Sequence, residues 1–100
     1  MEKLRKEKIY SDAIQLWGRR AQLEMAQEEA TELALAVRKF ISDGDNPQRY
    51  FDLAGEIADV EIMIEQIKFM LPSIGQYIET KKEEKLVRLE KRIADKTFES

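Results

Sequence analysis

The stretch from Arg19 to Ile41 contains neither glycine nor proline, and Ala26, Ala30, Leu33, Val37, Phe40 and Ile41 recur through it at helical spacing. A periodic run of this length commits the middle of the chain to an amphipathic α-helix. The breaker cluster Ser42-Asp43-Gly44-Asp45-Asn46-Pro47 ends it. Beyond the cluster, Asn46 is placed to cap a second helix with Pro47 at its first position. That helix carries the stripe Leu53, Ile57, Val60, Ile64, Ile67 and Leu71, and Pro72 closes it. A shorter helix is expected from about Ser11 to Trp17, capped by Ser11 or Asp12, with Ala13, Ile14 and Trp17 on one face. A fourth opens at Ser73, where Gln76 completes capping-box spacing, and carries Ile74, Tyr77, Ile78, Leu86, Leu89 and Ile93 along a charged stretch. Short connections make neighbouring helices pack antiparallel. The expectation is an all-α, antiparallel four-helix bundle-like module, a single domain over residues 1–100, with an N-terminal arm at 1–10 and a frayed tail at 94–100.

Composition narrows the chemistry. With 43% hydrophobic and 37% charged residues, four glycines and two prolines, the chain suits an ordered helical protein. It has no cysteine and no histidine. Disulfides and thiolate metal sites are excluded, and so are the commonest general base and the commonest transition-metal ligand. Catalysis would have to use carboxylates, Lys, Arg, Tyr, Ser or Thr. No apolar run is long enough to span a membrane, and Met1 to Lys8 does not lead into a secretory signal, so a cytoplasmic location is expected. A domain this small buries a modest share of its surface. Met63, Phe69 and Met70 fall outside the main stripe and leave apolar area for a partner chain, so a homo-oligomer, dimer or tetramer, is expected.

Charge is segregated along the chain. Between Glu24 and Glu65 there are eleven acids and three bases (Arg38, Lys39 and Arg49), a local balance of −8 within a net charge of −3. Two pairs of acids stand out there. Glu29 and Glu32 on the long helix, and Glu56 and Asp59 on the next, are each spaced i, i+3, about 60° apart around a helix. Relative to the first acid of each pair, both apolar stripes lie on the same side, so each helix presents a stripe with two acids along one edge. If the stripes pack together, the four carboxylates converge. Such a cluster repels itself unless a cation sits within it. An all-oxygen set of this kind suits Mg²⁺, or Mn²⁺, with positions left for water and phosphate. On spacing alone, a solvated helix face accounts for i, i+3 acids as well. The usual i, i+4 basic partners are, however, missing from Thr31 to Ala36 and from Val60 to Ile64.

Glu28-Glu29-Ala30-Thr31-Glu32 followed by Glu56-Ile57-Ala58-Asp59 resembles the E-E-x-x-E … E-x-x-D signature of the MazG-like all-α nucleoside triphosphate pyrophosphohydrolases, a superfamily that also includes the dimeric dUTPases. The resemblance covers about Trp17 to Arg92 and takes in Trp17-Gly18, Gln22, Leu33 and the late basic run Lys85, Arg88, Leu89 and Arg92. It implies cleavage of a nucleoside triphosphate between the α- and β-phosphates, giving a monophosphate and pyrophosphate. It also implies Glu29, Glu32, Glu56 and Asp59 as catalytic Mg²⁺ ligands, with water activated by the metal or by an unliganded carboxylate. Glu28, about 100° from Glu29, suits an outer role or plain solvation.

Lys85 and Arg88 match the family's basic helix and are the expected phosphate contacts; a solvated helix laced with Glu83, Glu84 and Glu90 is the other reading. The mixed signs there speak against nucleic-acid binding. Trp17, Gln22 and Met25 are candidates for a base pocket, since an amide reads a base edge and an indole stacks, although Trp17 also suits a core or interface position. Asp52 and Gln66 lie on the same edge as Glu56 and Asp59 and are candidates to reach metal-bound water. Nothing promotes Tyr50 or Tyr77 beyond hydrogen-bonded core residues. The alternative to an enzyme is a non-catalytic helical interaction module, a coiled-coil adaptor using the last two helices. A di-iron carboxylate bundle would need Glu-x-x-His pairs, which the chain lacks.

Overall fold

The computed structural model describes the chain from Met1 to Glu99, with side-chain placements as far as Lys96. Among the described residues it is all-α, with helices α1 (Glu2–Trp17), α2 (Arg19–Asp43), α3 (Pro47–Met70) and α4 (Ile74–Glu99). None of these helices is long and apolar enough to cross a membrane. The chain divides into two compact units, Met1–Met70 and the segment that begins at Leu71.

The α2–α3 turn forms as its residues dictate. Asn46 Oδ1 accepts the Gln48 amide N–H at 2.9 Å, so the expected cap is made and Pro47 occupies the first helical position, where its missing N–H costs nothing. Gln48 donates to Asp52 at 2.8 Å, and Arg49 Nε lies 3.4 Å from Asp43 Oδ2 across the turn. α2 and α3 therefore form a stapled helical hairpin. Gln22 shares a cavity with Gln66 while Lys39 shares another with Arg49, so the two helices run antiparallel.

α1 is longer than the expected short helix. It begins at Glu2, and the residues expected as an arm are helical, supported by Arg5–Glu2 at 3.1 Å and Lys8–Asp12 at 2.8 Å. Tyr10 docks it: its ring is 8% exposed, lies 6.2 Å from the Phe69 ring, and its hydroxyl donates to Glu65 Oε1 at 3.1 Å. Lys6 pairs with the same Glu65 oxygen at 3.3 Å. Gly18 separates α1 from α2 with φ 89°, a backbone conformation that glycine takes without the clash a Cβ brings.

The interior of the α2–α3 pair differs from expectation. Apart from Tyr10, the buried residues are Ala36, Met63, Gln22 and Gln66. Gln22, Glu29 and Ala36 follow at intervals of seven on α2, and Glu56, Asp59, Met63 and Gln66 share one face of α3. The seam is thus rotated toward the acids on both helices. Val37, Ile41, Ile57 and Ile64, members of the expected core stripes, are exposed, whereas Met63, expected to await a partner, is buried.

α4, in the second unit, carries Lys81–Glu84 and Lys82–Glu79 pairs at i, i+3, with Leu86, Leu89 and Ile93 exposed. The expected Ser73–Gln76 capping box does not form, and the Ile74 N–H instead donates to the Leu71 carbonyl at 2.9 Å, the tight turn supplying its own acceptor. The tail expected to fray over 94–100 is helical as far as Glu99, and its last residue lies outside the described ones.

Candidate metal centre

The rotation of the α2–α3 seam gathers three carboxylates. One oxygen each from Glu29, Glu56 and Asp59 lies within 4.8 Å of the others. Glu29 and Glu56 are half-buried, Asp59 is exposed, and none of the three makes an ion pair among the described residues. Glu56 Oε2 is buried without a hydrogen-bond partner. A buried carboxylate oxygen with nothing to donate to it is costly and calls for a cation or donor.

Glu29 registers this crowding. Burial, then the charges of Asp59 and Glu56, a hydrogen bond with Asp59, and the charge of Glu28 together raise its carboxyl above the ordinary range. A carboxyl raised in this way takes up a proton more readily than a free one. A divalent ion would displace that proton and reverse the effect. The donor set is hard oxygen throughout, which fits Mg²⁺ or Mn²⁺ and not a metal that requires nitrogen or sulfur.

Glu32 stands outside the convergent set. The turn of about 60° between it and Glu29 carries it to the solvent side of α2. It lines a cavity of ≈ 350 Å³ beside Glu56 and Asp59, shared with Ala36, Lys39, Arg49 and Asp52. Glu28, also exposed, lies on a shallower depression with Glu24, Gln27 and Glu32.

On the other side of the carboxylates is a second cavity, ≈ 220 Å³, lined by Gln22, Met25, Glu29, Asp59, Ile62, Met63 and Gln66. Gln22 and Gln66 are each 3% exposed, and their Nε2 atoms are buried without a hydrogen-bond partner. Each of these amides retains its donor for a ligand. Gln66 thus joins Gln22 and Met25 in a pocket expected to rest on Gln22, Met25 and Trp17. Trp17 does not line it; the indole is 61% exposed at the end of α1, where Gly18 turns the chain. Lys85 and Arg88 belong to α4, outside the unit that carries the carboxylates, and Lys85 borders an apolar depression with Ile74, Tyr77 and Ile78. Lys39 and Arg49, which line the cavity bordering Glu56 and Asp59, were not singled out from the sequence. Their signal was present, as two of the three bases in the acid-rich middle.

No family model, characterised protein or solved structure matches the chain.

Proposed function

We propose that the protein is a Mg²⁺-dependent nucleoside triphosphate pyrophosphohydrolase of the MazG-like kind, acting in the cytoplasm. The observation that carries this reading is the meeting of Glu29, Glu56 and Asp59 within 4.8 Å, from two helices, with no basic side chain among the described residues paired to any of them.

These three residues would hold the ion, and Mn²⁺ would substitute for Mg²⁺. When bound, the ion supplies charge neutralisation for the phosphates and a more acidic water. The net reaction adds water across the α–β anhydride. A bond forms from the water oxygen to phosphorus, the bridging P–O bond breaks, and the nucleoside monophosphate and pyrophosphate separate with release of a proton. Glu32 sits beside the cluster, exposed and free of ion pairs among the described residues, and suits the holding of a water or its proton. The small cavity with the Gln22 and Gln66 amides and the walls Met25, Ile62 and Met63 suits a flat, polar-edged base.

The apolar residues turned away from the seam, among them Val37, Ile41, Ile57 and Ile64, support a homo-oligomer in which another copy covers them. An antiparallel four-helix arrangement is then completed within that assembly. The other reading is a non-catalytic helical adaptor, and the exposed Leu86, Leu89 and Ile93 of α4 favour it.

Incubation with each ribo- and deoxyribonucleoside triphosphate and Mg²⁺, with detection of pyrophosphate, separates the two. Pyrophosphate release from at least one of them is expected. Absence of turnover on all of them, with no Mg²⁺-induced thermal shift, would leave the adaptor.

A further inference from the structure

The acid-rich middle of the chain has only three bases, and two of them, Lys39 near the end of α2 and Arg49 in the first turn of α3, line the ≈ 350 Å³ cavity that borders Glu56 and Asp59. The two bases are held differently. Arg49 is fixed: its Nε is buried, lies 3.4 Å from Asp43 Oδ2 without making a hydrogen bond, and its Nη1 lies 4.0 Å from Asp52 Oδ2. A guanidinium offers five N–H donors, so this anchoring leaves others for a ligand. Lys39 is exposed and makes no ion pair among the described residues. A fixed guanidinium and an uncommitted ammonium thus face one polar cavity.

The cavity on the opposite side of the carboxylates has no base. It is lined by two buried amides and by Met25, Ile62 and Met63. The groove between α2 and α3 therefore has two unlike ends: charged toward the turn, where Lys39 and Arg49 stand among Glu32, Asp52, Glu56 and Asp59, and neutral and partly apolar toward Gln22 and Gln66. A nucleoside triphosphate is unlike at its ends in the same way. It carries about four negative charges; one divalent ion offsets two, and the donors available to the remainder are the Lys39 ammonium and the Arg49 N–H groups not turned to Asp43 or Asp52.

We propose that Lys39 and Arg49 bind the β- and γ-phosphates, the departing pyrophosphate, so that the substrate lies along the α2–α3 groove with its base toward Gln22 and Gln66. This rests on the pyrophosphohydrolase reading and deepens it by fixing the direction of the substrate and its phosphate partners.

The test uses the full chain with Mg²⁺ and its best triphosphate, and compares product inhibition by pyrophosphate and by the corresponding monophosphate. Lys39→Ala removes an unpaired exposed side chain and is expected to fold. It should raise KM and the inhibition constant for pyrophosphate roughly tenfold, the size of one lost charge-assisted contact, and leave inhibition by the monophosphate unchanged. Lys39→Arg should restore both values. Arg49→Lys, which keeps the charge near Asp43, should weaken pyrophosphate inhibition in the same selective way. Unchanged pyrophosphate inhibition in both variants, or a loss confined to the monophosphate, overturns the proposed direction while the enzyme reading stands. A wild-type protein that neither turns over nucleotide nor responds to Mg²⁺ overturns both.

Discussion

Glu29 of α2 and Asp59 of α3 bring carboxylate oxygens within 4.8 Å of each other across the helix pair, and the Asp59 charge adds to burial in raising the Glu29 carboxyl above the ordinary range. A group whose carboxyl is raised in this way takes up a proton more readily, and a divalent cation at the same oxygens would compete with it.

Removing one of the partners should separate folding from metal binding. Glu29→Gln relieves repulsion in the metal-free protein, so its helical content is expected to stay unchanged and its thermal midpoint not to fall. Mg²⁺-dependent turnover should drop by about two orders of magnitude or more, since a carboxylate ligand is lost. Asp59→Asn should behave alike. Circular dichroism and steady-state rates check both; near-full turnover in either variant would mean the ligands are misassigned.

The raised Glu29 carboxyl also sets a pH dependence. The folded-state pKa of Glu29 is raised, so folding favours the protonated form. Its contribution to stability is fully present below the unfolded carboxyl value and is lost as pH rises through the raised folded one. The metal-free protein should therefore melt at lower temperature on the alkaline side of that step, with Mg²⁺ recovering the loss near neutral pH. Mg²⁺ affinity should run the other way and fall as acid returns the proton. Calorimetric titrations in buffers of different ionisation enthalpy would register the proton released on binding. Glu29→Gln should show neither trend.

Gln22 and Gln66 give a test of the base pocket that does not involve the metal. Their amides are buried and their Nε2 atoms lack partners, so Gln66→Leu should leave stability unchanged or raise it by about 1 kcal/mol, because an unsatisfied donor is removed. The same variant should raise KM for the preferred nucleotide several-fold. A destabilisation of about 2 kcal/mol or more would show that the amide is satisfied within the protein.

Much of this was legible beforehand. The breaker cluster and the cap at Asn46 are chemical signals local to the chain; the cap forms as read, and the helix runs two residues into the cluster, to Asp43. Three of the four expected carboxylates converge. The packing face was harder to read. Apolar periodicity marks which residues avoid water, but it does not name the surface that covers them, so Val37 and Ile64 looked like the α2–α3 core although the seam runs through Gln22, Glu29 and Met63. The exact position of Glu32 hangs on a rotation of about 60°, less than the width of an apolar stripe. Residues 1–10 escaped because their charged sequence has too few apolar positions to show a period. Tyr10, whose hydroxyl reaches Glu65 on another helix, acts at a distance the local pattern does not record.

That contact can be measured. Tyr10→Phe keeps the ring against Phe69 and loses the hydrogen bond to Glu65, which retains Lys6 and partial solvent exposure. A loss of about 1 kcal/mol is expected. Tyr10→Ala removes the ring as well and should cost about 3 kcal/mol, the scale of a buried aromatic deleted. Denaturant unfolding of both variants tests this; equal small losses would place α1 outside the folded core.

The central claim is that the three carboxylates support Mg²⁺-dependent cleavage between the α- and β-phosphates. Phosphorus-31 magnetic resonance of a nucleoside triphosphate incubated with the protein and Mg²⁺ tests it most directly. The account predicts that the triphosphate signals give way to those of a monophosphate and pyrophosphate, and that Asp59→Asn or chelation of the metal stops the change. Unaltered triphosphate, or a diphosphate with inorganic phosphate in its place, would contradict it.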